Sequence, residues 1–87
     1  MQTEQKQTLY PLLEIEIEQH IGVENILSMI YDDFKVEYQI KKVDLEYQGN
    51  SNYGSILLYL KGKAEENDNI IYYLNRNKIH NSIKGYV

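Results

Sequence analysis

The sequence predicts an α+β domain in which one four-stranded antiparallel sheet carries two helices on a single face. Three observations predict it. Apolar and charged residues alternate strictly through Leu13-Glu14-Ile15-Glu16-Ile17-Glu18, the pattern of a strand with one buried side. Two stretches, 23–34 and 64–75, space their apolar residues at helical intervals. The run Ile56-Leu57-Leu58-Tyr59-Leu60 is continuously apolar, as in a strand covered by neighbours on both sides.

Taken in order, the polar segment Met1–Leu9 has no periodicity and reads as a tail or linker, with one domain over 10–87. Pro11 marks the approach to strand one. The first helix, Val23 to Phe34, turns Ile26, Leu27, Ile30 and Phe34 inward, with Gly22 at its entry. Strand two begins at Val36. Val36, Tyr38 and Ile40 share one parity while Val43, Leu45 and Tyr47 share the other. An extra residue near Lys41-Lys42, a β-bulge, reconciles the two sets; without it half of them face the wrong side.

Gln48-Gly49-Asn50-Ser51-Asn52 is a turn cluster, so strands two and three form a hairpin. Strand three runs from Tyr53 to Lys61 and stops at Gly62. The second helix, Ala64 to about Asn75, directs Ile70, Ile71 and Leu74 inward. Glu65 and Glu66 stand at its start, and Arg76 and Lys78 follow its end, the order that the helix dipole favours. A last strand, Ile79 to Ile83, completes the order β-α-β-β-α-β. That is the ferredoxin-like arrangement, with strands one and three central and strands two and four at the edges.

Composition narrows the function. The chain has 87 residues, no Cys and a net charge of −4. It therefore carries no disulfide framework or thiolate metal site, and it lacks the basic excess of a phosphate-backbone binder, so no nucleic acid is expected. Arg76 is the lone Arg, and no Gly-rich phosphate loop follows strand one, where Gln19-His20-Ile21-Gly22 stands. His20 and His80 have no partner in sequence, and Asp32-Asp33 reads as a solvated surface pair. The residues point to no catalytic group, no metal and no cofactor in this segment. Strand two has an undefended edge, and edges of that kind pair with other chains. Leu57 and Tyr59 point away from the helices, an apolar exposure that a partner would cover.

The run Phe34-Lys35-Val36-Glu37-Tyr38-Gln39-Ile40, then Tyr47-Gln48-Gly49, then Tyr53-Gly54-Ser55-Ile56-Leu57-Leu58-Tyr59-Leu60-Lys61-Gly62 resembles the NIL domain. That family forms the C-terminal regulatory part of the ATP-binding subunit of bacterial methionine ABC importers. The ending Ile83-Lys84-Gly85-Tyr86-Val87 is similar to the terminus of some members, and the similarity runs from about Pro11 to Val87.

The resemblance implies a non-catalytic, ferredoxin-like domain of ACT-like type that forms a homodimer and binds L-methionine or a related amino acid at the interface. It implies trans-inhibition, in which accumulated amino acid holds the ATPase halves apart. It also implies a parent ATPase that supplies ATP and Mg sites, docks on a membrane permease and lies in the cytoplasm at the inner face of the cell membrane. The Asn of the family's namesake motif falls on Gln39 and the next apolar residue on Ile40. A ligand-contacting apolar position falls on Leu45, and Tyr53 and Gly54 match an aromatic-Gly pair. Gln39 keeps the carboxamide but adds a methylene, and Lys41 stands where the family usually has an apolar residue. The competing expectation is an interaction domain of the same fold that dimerises without a small ligand.

Overall fold

The structure, a computed structural model, describes residues 10–18, 21–49 and 51–87. The expected tail, 1–9, and His20 lie outside the described residues. The order is β1 (Pro11–Ile17), α1 (Val23–Ser28) continuing into a π-helical turn (Met29–Asp33), β2 (Tyr38–Gln48), β3 (Ser51–Leu60), α2 (Ala64–Arg76) and β4 (Asn81–Tyr86). The strands form one sheet in the order β2-β3-β1-β4, all antiparallel. The two central strands are the ones that the apolar runs predict.

Alternation along β1 and β3 builds the core. Leu13 pairs with Leu58 and Ile15 with Ile56, and directly opposed residues share a face. Leu13, Ile15, Ile17, Ile56, Leu58 and Leu60 are buried in one cluster with Ile26, Met29 and Ile30 of the first helix and Ile70 and Leu74 of α2. Both helices therefore lie on the same side of the sheet. Fully burying side chains of this kind stabilises by about 1.5–3 kcal/mol each. Among the described residues no helix is long and apolar enough to cross a membrane.

The first helix ends differently from a regular stripe. Its last turn widens: the Phe34 N–H donates to the Met29 carbonyl at 3.1 Å, a bond to the fifth residue back. Lys35 then takes a left-handed φ of 59°, and the Val36 N–H returns to the Ile30 carbonyl. Leu27 and Phe34, expected inside, are only partly buried, whereas Met29, three residues past Ile26, joins the core.

The bulge in β2 is where parity requires it. Ile40 pairs with Leu58 and Lys42 with Leu57, so Lys41 is the extra residue. β4 differs from expectation: it begins at Asn81 and runs to Tyr86. Ile79 is not free to start it, because its N–H closes the end of α2 on the Leu74 carbonyl at 2.9 Å. A second bulge places Lys84 between the pairs Leu12↔Gly85 and Leu13↔Ile83, with its Nζ 3.4 Å from Glu14 Oε1.

Entry into α2 rests on a residue that periodicity does not single out. Asn67 is 2% exposed. Its Oδ1 accepts from the Gly62 N–H and its Nδ2 donates to the Gly62 carbonyl, both at 3.0 Å. Glu66 Oε1 accepts the Lys63 N–H at 2.8 Å, satisfying one more donor ahead of the helix. Asn67→Ala leaves two backbone groups at the β3–α2 junction without these partners, at a cost of about 1–3 kcal/mol. The melting midpoint is expected to fall by roughly 4 °C or more for a domain of this size. Asn69→Ala on the exposed side of α2 should leave it nearly unchanged.

Candidate functional site

The β2–β3 hairpin outgrows the rest of the sheet. Pairing of β1 with β3 stops at Ile17↔Gly54, whereas β2 and β3 stay paired out to Gln48↔Ser51, with Gly49 and Asn50 between them. β2 is an edge strand, and its outer backbone has no strand beside it among the described residues.

The bulge sets which side chains this edge presents. On the helix side Tyr38, Ile40, Val43, Leu45 and Tyr47 line up, since they oppose Leu60, Leu58, Ile56, Gly54 and Asn52. The core beneath the helices does not extend far enough to cover them. Ile40 is 40% exposed, Val43 47% and Tyr47 75%, while Tyr38 and Leu45 are packed partly against the core. On the open side Gln39 lies opposite Tyr59, Lys42 opposite Leu57, Asp44 opposite Ser55 and Glu46 opposite Tyr53. Lys42 and Asp44 approach to 3.9 Å, and the Lys41 ammonium stands 5.9 Å from the Tyr59 ring centre. That last contact gives the polar residue at position 41 a physical role: it caps an aromatic ring on the face that has no helix.

Gly54 has a structural reason of its own. Its φ is +149°, and a Cβ placed there would lie 1.9 Å from the Asp44 carbonyl oxygen. The two strands touch backbone to backbone at this point, and Leu45 is seated directly across from it.

Within one chain the five residues singled out from sequence fall into two groups. Leu45, Tyr53 and Gly54 lie in the outer half of the hairpin, with Leu45 on the helix side across from Gly54 and Tyr53 on the open side across from Glu46. Gln39 and Ile40 lie in its inner half, on opposite faces, with Lys41 and Val43 between them and Leu45. The four ladder steps from Ile40 to Leu45 correspond to about 13 Å at roughly 3.3 Å per residue. Sequence reasoning passed over Val43 and Tyr47 as site residues. The parity shift itself is the signal that finds them, because it puts both on the same side as Ile40. Elsewhere, an open hollow of about 520 Å³ lies between Phe34, Tyr72, Tyr73 and Arg76, where Phe34 and Tyr73 stack edge to face at 5.6 Å. Among the described residues no three His, Asp or Glu side chains gather as a metal-binding group.

Comparison with known proteins fits this architecture. The family model described as the NIL domain matches residues 11–81, a span that includes both helices and the whole hairpin. The chain is 26% identical over 78 residues to the methionine import ATP-binding protein MetN of Vibrio cholerae, covering 90% of this chain. It spans 23%, about a quarter, of the length of that relative. The crystal structure of the C-terminal domain of an ABC transporter ATP-binding protein from Enterococcus faecalis shares the fold, with a TM-score of 0.71. That likeness covers 86% of this chain and 83% of the other at 19% identity.

The close approach at Gly54 is directly testable. Gly54→Ala forces the hairpin strands apart at Asp44 and is expected to cost about 2 kcal/mol or more from overpacking and backbone strain. By thermal melting that is a drop of roughly 8 °C or more. Gly85→Ala is the control, since its added Cβ would meet nothing within 4 Å.

Proposed function

Because this chain belongs to the NIL domain family, we propose that it is the regulatory end of the ATP-binding subunit of a methionine importer, binding L-methionine across a homodimer interface. In this reading the domain performs no catalysis. ATP and Mg belong to the parent ATPase, which couples to a membrane permease at the cytoplasmic face. Bound methionine favours the arrangement of the paired domains that keeps the ATPase halves apart. By linkage, that arrangement in turn binds methionine more tightly.

The observation that carries the proposal is the apolar strip of exposed Ile40, Val43 and Tyr47, with half-buried Leu45 among them, along a strand edge that has no strand beside it among the described residues. A thioether side chain needs an adaptable apolar slot, which such a strip supplies. The charged ends of a free amino acid need donors and acceptors, which edge backbone groups and the Gln39 carboxamide supply. One observation favours the second reading, a dimerisation domain with no small ligand: the singled-out residues are divided between the two faces of the sheet, Ile40 and Leu45 on the helix side and Gln39 and Tyr53 on the open side.

Thermal melting separates the two. L-methionine at about a hundred times its Kd stabilises the native state by about 2.7 kcal/mol, which raises the midpoint by roughly 10 °C or more. Gln39→Ala is expected to shrink that rise while leaving the ligand-free midpoint in place. Absence of any rise at millimolar L-methionine, with dimerisation intact, overturns the sensor and leaves the interaction domain.

A further inference from the structure

We propose that the surface around the C-terminal turn of α2 docks an acidic segment of another protein, through a hollow lined by aromatic rings and Arg76. The inference needs neither the ligand nor the homodimer of the reading above, and it uses no residue of the β2–β3 hairpin.

Charge is placed unevenly along the chain. Every Asp and Glu lies at or before Asp68, whereas residues 69–87 hold Arg76, Lys78 and Lys84 and no acidic side chain. In a chain of net charge −4, that makes the last stretch locally basic. Lys84 is neutralised by Glu14 on the sheet. Among the described residues Arg76 and Lys78 are in no ion pair. The dipole of α2 accounts for cations at this end of the helix. It does not account for the rings beside them.

Those rings line the open hollow of about 520 Å³. Phe34 and Tyr73 contribute an edge-to-face pair, and Tyr72 contributes a ring that is 61% exposed. The Arg76 guanidinium stands 5.8 Å from the Tyr72 ring centre, so cation and ring present one composite surface. Asn69 and Asn77 add carboxamides, and among the described residues no carboxylate lines the hollow. Around the same turn, Lys78 and His80 line a second hollow of about 400 Å³.

The chemistry of these groups defines the occupant. Exposed rings seat an apolar or aromatic side chain, and a planar guanidinium pairs with a carboxylate. Carboxamides bond to the backbone of a polypeptide. Tyr and Arg are also the residues in which binding energy concentrates at protein interfaces. A segment with an apolar side chain between acidic ones satisfies all three demands. An anionic membrane is recognised by roughly four to eight clustered Lys or Arg, more than this turn supplies. A small molecule needs a site that buries most of its surface, which an open hollow does not.

A peptide titration tests the proposal. The probe is a short acetylated and amidated peptide in which Glu residues flank a central Phe. One control peptide replaces every Glu by Lys, and the other replaces the Phe by Ala. In amide NMR spectra of the chain, the probe is expected to shift Asn69, Tyr72, Arg76 and Asn77 saturably, and to bind more weakly as salt is raised. Arg76→Gln and Tyr72→Ala alter exposed side chains, and each is expected to weaken binding roughly tenfold. Lys61→Gln, just ahead of the other end of α2, should leave it unchanged. Equal binding of either control peptide, indifference to Arg76→Gln, or no shift at millimolar probe overturns the proposal. A concentration-dependent shift of the same residues without peptide also overturns it, by assigning the hollow to a second copy. Cosedimentation with phosphatidylserine vesicles that survives Tyr72→Ala does so in favour of a membrane. The melting response to L-methionine is read separately, so failure here leaves the sensor reading standing, and the reverse holds too.

Discussion

A strand shows its side chains to alternate faces, and one extra residue reverses every face beyond it. Lys41 is that residue in β2. Upstream of it Tyr38 and Ile40 join the helix side; downstream Val43, Leu45 and Tyr47 do so only because the bulge has shifted them. Without it, the strand would put an apolar set on one face at one end and on the opposite face at the other. The seat of Leu45 across from Gly54 on the helix side and the continuous apolar strip along the edge both follow from that single insertion.

The two edges of the sheet are treated differently. β4 is six residues long, bulged at Lys84 and tied to β1 by the Lys84–Glu14 ion pair. Its last turn is held by paired bonds between Tyr10 and Val87 at 2.8 and 2.9 Å. Short, bulged and charged edges discourage further pairing. β2 is eleven residues long, and its apolar strip is exposed beside an unpaired backbone. Its open side carries charge instead, with Lys42, Asp44 and Glu46 in a row.

Much of the fold was legible because it rests on periodicity. The core face of β1, the central place of β3, the stripe of α2 and the bulge near Lys41 are all consequences of period 2 or 3.6 in hydrophobicity. The boundaries of β4 were not, because the Ile79 N–H is taken by the end of α2. The role of Asn67 was not either: a buried Asn held by Gly62 leaves no periodic trace. The candidate site was legible as a set of residues on the hairpin, but not as a place. Gln39 and Ile40 are neighbours in sequence and lie on opposite faces, and neither reaches Leu45 within one chain.

From its sequence alone, this protein is committed to two helices over a βαββαβ sheet, to a hairpin between strands two and three, and to an insertion that realigns strand two. Those features follow from local spacing, which the chain carries regardless of what surrounds it. The tertiary structure decided how far the helices cover the sheet, and so which of Ile40, Val43, Leu45 and Tyr47 remain exposed. It also decided that the strands touch at Gly54 and Asp44. Exposure and contact depend on elements distant in sequence, because an alternating pattern states which face is apolar but not what, if anything, lies on top of it.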